Sequence, residues 1–476
     1  MGKSNPKDKS FDISKRLVWE AYKSVKANKG AAGVDGQSVE AFEADLRNNL
    51  YKIWNRMSSG TYFPPPVRAV EIPKPHGGGT RVLGVPTVAD RIAQTVVALQ
   101  LLPRMESIFH DDSFGYRPRR SPLAAVKKCR ERCWKKDWVL DLDVQKFFDS
   151  VDHDLMVRAV EANTDQKWVV LYVKRWLKAP MQLPDGAVVE RDRGTPQGSA
   201  VSPVLANLYL HYAFDSWLGR EFPTVEFERF ADDAVVHCVT ERQARQVWAA
   251  LADRLESVGL RLHPDKTKIV YCGDSNRRRE FECVSFTFLG YTFRPRESKS
   301  GKTGTIFTSF QPAMSPVALK SKSQELRRWR IHRHTSMDLR ELAEWLNPIV
   351  RGWMNYYGEF NRFEMYSLLQ RINTYLMRWA RRSTSDCAAG NGSRPGGVGS
   401  PRGSPSCSLT GHGCARTSGQ GEKSGMTGDG HVPFRGSLGV KLPGATRLRV
   451  GHVAASGIPD GQVRAFRRRC GGPLCD

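Results

Sequence analysis

Phe230-Ala231-Asp232-Asp233 lies between two short runs of β-type residues, Val225 to Phe230 and Ala234 to Val239. Two such runs around a short polar break predict a hairpin, here with two carboxylates at its turn. A second acidic strand end lies upstream, where Trp138-Val139-Leu140-Asp141-Leu142-Asp143-Val144 leads into Gln145-Lys146-Phe147-Phe148-Asp149. One sheet can gather carboxylates from both places. Such a cluster suits Mg²⁺, a hard cation held by a few carboxylates together with substrate phosphates. Two ions roughly 4 Å apart can activate an attacking oxygen and stabilise a leaving one. Taken alone, an Asp-Asp turn is commonly no more than a turn. The joint pattern points to phosphoryl transfer.

Between the two acidic stretches comes Arg193-Gly194-Thr195-Pro196-Gln197-Gly198-Ser199-Ala200-Val201-Ser202-Pro203. With the three in this order, the chain resembles the reverse transcriptases, and among them the proteins encoded by bacterial group II introns. The resemblance runs from about Ser14 to Arg382. It includes Leu346-Asn347-Pro348-Ile349-Val350-Arg351-Gly352-Trp353-Met354-Asn355-Tyr356-Tyr357, similar to the maturase (thumb) segment that ordinary polymerases lack. It implies a right-hand polymerase of α+β class, with fingers, a palm built on an antiparallel sheet, and an α-helical thumb/maturase domain.

The resemblance also assigns roles. Asp143 and Asp232 match the catalytic aspartates that bridge two Mg²⁺ ions, with Mn²⁺ as a substitute, and Asp233 matches the third acid. Asp141 and Asp149 read as structural. Phe148 matches the aromatic wall that excludes a ribose 2′-hydroxyl, and Gln197 the residue beside the incoming sugar and base. Lys74 and Arg81 flank Gly77-Gly78-Gly79 as fingers residues gripping the triphosphate, where a cation neutralises phosphate charge. Lys266 matches a basic residue near the nucleotide. Phe230 departs from the family, which more often has Tyr there; the change removes a hydroxyl but no metal ligand. The implied activity is RNA-directed DNA polymerisation by a protein that binds its intron RNA, assists splicing and copies the RNA during retrohoming. Two other readings stay open: a reverse transcriptase with a defence or diversity-generating role, and a non-catalytic RNA-binding splicing factor with a relic palm.

Composition agrees with a polyanionic partner. The 476 residues carry 73 Lys+Arg against 49 Asp+Glu, a formal charge of +24. The expected partners are intron RNA, an RNA template with a DNA primer, and dNTPs; target DNA and a second copy of the chain are further candidates. No apolar run approaches the ~20 residues that span a bilayer, and the N-terminus has no signal-peptide core. The ten cysteines contain no CxxC pair and read as buried thiols in a reducing compartment. A bacterial cytoplasmic, nucleic-acid-associated protein is expected.

Four segments follow. Residues 1–62 form a helical extension of the fingers, and 63–310 the fingers and palm. Residues 311–382 form the thumb/maturase domain, with a helix expected to restart at Asn347-Pro348. There Arg327, Arg328, Arg330 and Arg351, interleaved with aromatics, are candidate RNA contacts. Residues 383–476 hold half of the 42 glycines, no Trp and no Tyr, and read as a disordered or frameshifted tail dispensable for polymerisation.

Overall fold

Eleven strands fall into three sheets among the described residues, which in this computed structural model are 9–73, 79–301 and 303–389. In chain order they are β1 (Val67–Pro73), β2 (Thr80–Val85), β3 (Trp138–Asp143), β4 (Met181–Gln182), β5 (Val188–Val189), β6 (Glu226–Phe230), β7 (Asp233–Cys238), β8 (Lys268–Tyr271), β9 (Phe286–Phe288), β10 (Tyr291–Lys299) and β11 (Ile306–Met314). The fingers sheet runs β2-β1-β4-β5, the palm sheet β6-β7-β3-β8, and a third sheet β11-β10-β9 leads to the thumb.

The palm sheet is antiparallel throughout, so its register decides which side chains meet. Side chains alternate between faces with a period of two. Trp138, Leu140 and Leu142 of β3 and Ala234, Val236 and Cys238 of β7 enter one apolar cluster, covered by Ala244, Val247 and Leu251 of the helix Glu241–Ser257. Val139 and Val235 enter another, with Ala125, Val126, Cys129 and Cys133 of the helix Pro122–Cys133. The parity of Val139 and Val235 places Asp141, Asp143 and Asp233 on this second face as well. That cluster continues through Phe286, Phe293 and Phe310 into Leu342, Leu346 and Trp353, so one core serves palm and thumb. A third cluster joins the fingers helices Lys15–Asn28 and Val88–Ile108 to the palm helices.

The helical expectations need two corrections. Pro348 does not begin a helix: a single helix spans Leu339–Tyr357 with Pro348 inside it. Its start is fixed earlier by a capping box, in which the Asp338 side chain accepts from Glu341 N–H and the Glu341 side chain accepts from Asp338 N–H. Proline removes one ladder bond, but Leu342, Leu346, Ile349 and Trp353 are buried on both sides of it and hold the helix together. In the N-terminal extension the helices Val39–Glu43 and Leu46–Ser58 are separate, because Asp45 leaves the helical region at φ −127°. The last helix, Tyr366–Ala389, runs past the boundary placed at Arg382. The remainder of the expected tail, 390–476, lies outside the described residues.

Candidate active site

β6 and β7 form the expected hairpin, with Ala231 and Asp232 at its turn. Ala231 adopts φ +57°, and this left-handed residue swings Asp232 out of the ladder. Asp233 opens β7 and lies directly opposite Asp143 of β3, on the same face of the sheet. The three carboxylates named from sequence therefore share one end of the palm sheet. Asp233 is exposed. Desolvation, followed by the charges of Asp232, Asp143 and Asp141, pushes its pKa up to about 8. Desolvation and then the charge of Asp143 hold Asp232 above the usual carboxylate range. Asp141, read as structural, faces the same way and is raised to about 7, chiefly by desolvation. Oxygen donors crowded so that neighbouring charges raise Asp232 and Asp233 are a donor set a hard dication relieves, so these residues fit the implied Mg²⁺. Lys266, expected near the nucleotide, has its Nζ 2.8 Å from Asp143 Oδ2.

The loop from Arg193 to Val201 is tied to its neighbours through backbone. Thr195 N–H donates to Phe148 O at 2.7 Å, and Gly194 N–H to Val151 O at 2.7 Å. Gly194 has φ +79°, and a Cβ there would meet Phe148 O at 2.8 Å. On the other side Gly84 N–H of β2 donates to Gln197 O at 2.7 Å. The loop thus brings Gln197 beside both Phe148 and the fingers strand. Of the two phenylalanines, Phe147 is 2% exposed and belongs to the core, whereas Phe148 is half-buried against it. Arg81 lies on β2 opposite Ile72. Lys74, the other expected fingers cation, is outside the described residues.

Several supporting residues escaped the sequence reading. Gln94 Oε1 accepts from Ser199 Oγ and Ala200 N–H, both at 2.8 Å, so a fingers helix holds the Gln197 loop. Gln94 is itself fixed by Asp90, which also accepts from Tyr62 Oη and Trp176 Nε1. Arg229, fully buried, reaches the carbonyl of Ala231. Gln94 follows no motif, and an arginine inside a β-type run carries no signal of its partners.

In the thumb, Arg327, Arg328, Arg330 and Arg351 are all exposed. Arg327 lines a groove with Lys320, Arg371, Arg378 and Tyr375, between the helices Pro316–Trp329 and Tyr366–Ala389. The positive field is felt nearby: His332 is held below its ordinary pKa by desolvation and then by Arg382, Arg333, Arg378 and Arg330.

Among the described residues, the one group of metal-type ligand atoms converging within 4.8 Å lies elsewhere, at Cys129, Glu228 and His237. Glu228 there is already engaged by Arg132 and by His237 Nε2 at 2.6 Å, and burial raises the Cys129 thiol to about 12. It is an interior ion-pair network. Cys129, Cys133, Cys238 and Cys272 are buried and free, as expected. No described helix is long and apolar enough to cross a membrane.

Residues 72–293 match the reverse transcriptase (RNA-dependent DNA polymerase) family, and residues 319–388 match the maturase-specific domain of group II introns. Protein YkfC of Escherichia coli (strain K12) is 31% identical over 330 residues, 61% of this chain and 83% of YkfC. The group II intron-encoded protein LtrA of Lactococcus lactis subsp. cremoris is 32% identical over 197 residues, 41% of this chain but only 32% of LtrA. A 91 kDa protein in a cob intron of Schizosaccharomyces pombe is 28% identical over 422 residues, 74% of this chain and 50% of that one. A solved telomerase from Candida albicans aligns at TM-score 0.42 and 13% identity, over 72% of this chain and 63% of the other, too distant to add to the argument. With a polymerase domain followed by a maturase-specific domain, the chain belongs to the reverse transcriptase/maturase proteins of group II introns.

Proposed function

We propose that the chain is an active RNA-directed DNA polymerase that also binds its intron RNA, assists its splicing and copies it from a DNA primer with dNTPs. The observation that carries the reading is the meeting of Asp143 and Asp233 across β3 and β7, with Asp232 at the adjoining turn. A non-catalytic relic has no need to keep three carboxylates together at one sheet end. Asp143, Asp232 and Asp233 would hold two divalent cations, Mg²⁺ or Mn²⁺ in its place, which supply activation of the primer hydroxyl and neutralisation of developing phosphate charge.

The other residues bind and orient. Phe148, half-buried above Phe147, stands as a wall against a 2′-hydroxyl and so favours dNTPs. Gln197, held through its carbonyl by Gly84, lies near the incoming sugar. Arg81 and Lys74 supply positive charge for the triphosphate, and Lys266 balances the charge of Asp143 until the nucleotide complex arrives. In the thumb, Lys320, Arg327, Arg371 and Arg378 line a groove suited to the RNA backbone, with Tyr375 as an aromatic platform. Arg328, Arg330 and Arg351 extend that basic surface.

Asp232→Ala tests the reading. Asp232 sits at a turn outside the ladder, so its loss leaves the sheet register intact. Primer extension on an RNA template with dNTPs and Mg²⁺ should fall to background while RNA affinity is kept. Substantial extension by the purified, folded variant would overturn the assignment.

A further inference from the structure

We propose that Arg229 is a positioning residue for the reaction: its buried pair with Asp215 fixes the carbonyl of Ala231, and with it the left-handed turn that presents Asp232. The inference rests on reading Asp232 as a metal-holding carboxylate.

Arg229 is 1% exposed and Asp215 0%. A guanidinium has five N–H donors in a rigid fork, and all five are used. Nε donates to Asp215 Oδ1 at 2.7 Å and Nη2 to Asp215 Oδ2 at 2.6 Å, a bidentate pair. The second Nη2 hydrogen goes to Ser113 Oγ at 2.8 Å. Nη1 donates to Asn207 Oδ1 at 3.1 Å and to Ala231 O at 2.9 Å. The last bond connects the network to the active-site turn.

That turn needs holding. Ala231 has φ +57°, a conformation disfavoured for any residue with a Cβ. It is also hemmed in from the other side, since a Cβ on Gly115 would lie 2.3 Å from Ala231 N. Gly115 O accepts from Asn207 Nδ2 at 2.7 Å, so Asn207 touches both walls of the turn. Asp215 is delivered by an irregular feature: the helix Ser202–Leu210 passes into a π-helical turn, His211–Asp215, before Ser216–Glu221. Wide turns of this kind re-aim a side chain and recur at functional sites. Here the re-aimed side chain is the one carboxylate that saturates Arg229. A buried ion pair gives little net stability compared with apolar packing. What this pair supplies that apolar packing cannot is a fixed donor to Ala231 O.

The test compares wild type, Arg229→Lys and Asp215→Asn. Lysine keeps the charge opposite Asp215 but has no fork to reach Ala231 O as well; asparagine keeps the shape of Asp215 and loosens the pair more gently. Each protein is checked for folding by thermal unfolding. Mn²⁺ affinity is then read by electron paramagnetic resonance in the complex with RNA template, dideoxy-terminated primer and dNTP, alongside the Mg²⁺ activation constant for extension. Both variants should weaken Mn²⁺ binding and raise the Mg²⁺ activation constant, Arg229→Lys by about tenfold, as expected for a residue that orients a metal ligand. Adding Ala231→Gly to Arg229→Lys should restore much of the loss, since glycine adopts a positive φ without strain; a purely structural role would not be rescued there. Mn²⁺ binding lost in Asp232→Ala but unchanged in folded Arg229→Lys and Asp215→Asn would overturn the clamp alone. Binding equal in wild type and Asp232→Ala would overturn the metal-site reading beneath it.

Discussion

Phe147 and Phe148 are neighbours of one residue type with different surroundings, and burial separates them: the first is in the core, the second half-open beside the Gln197 loop. Phe148→Val should therefore open room for a 2′-hydroxyl and raise the ratio of rNTP to dNTP incorporation on the order of tenfold; an unchanged ratio in a folded variant would make Phe148 a second core residue. Asp90 carries a pH signature. Burial pushes its pKa up to about 6 against the three donors that hold it. A carboxyl raised above its unfolded value stabilises the fold fully below the unfolded pKa and loses that contribution as pH rises through the folded one. Between pH 5 and pH 7 the wild type should lose about 1 kcal/mol of stability relative to Asp90→Asn, seen as a narrowing or reversal of their gap in thermal unfolding. A gap independent of pH would contradict it. At this scale the carboxylates were legible in sequence because they follow runs with a strand period. Arg229 was not, because its partners Asp215, Asn207 and Ser113 lie 14, 22 and 116 positions away.

Elements were legible where apolar period and caps agreed. The strand ending at Asp143 and the hairpin fall on the β-type runs read from sequence, except that Asp233 belongs to β7 rather than to the turn. Pro348 misled because proline is a local signal, while the helix Leu339–Tyr357 is held by side chains buried on both sides of it. The basic groove was legible only as a list of arginines, since Lys320 and Arg327 come from one helix and Arg371 and Arg378 from another. Replacing Arg371 and Arg378 together by Glu should weaken RNA binding and lower the slope of log affinity against log salt by about 1 to 2, as read by filter binding across a KCl series. The groove lies away from the palm strands, so extension at saturating RNA should be largely kept. An unchanged salt slope would remove the groove from the RNA-binding surface.

At the scale of the whole molecule, one antiparallel sheet explains how carboxylates far apart in sequence come together. Asp143 ends β3 and Asp233 begins β7, and the ladder between them sets them face to face. The continuous core from palm to thumb gives that sheet end a rigid backing, and the +24 charge supplies the long-range pull on nucleic acid. The most direct measurement of the central claim is extension of a DNA primer on an RNA template by the full chain, wild type beside Asp143→Asn, as free Mg²⁺ is titrated from chelated to millimolar levels. The wild type should be inactive without the metal and gain activity with it, while Asp143→Asn stays at background throughout and still binds the template. Template binding without metal-dependent extension by the wild type, or extension by Asp143→Asn at the wild-type rate, would contradict a polymerase site at this end of the palm.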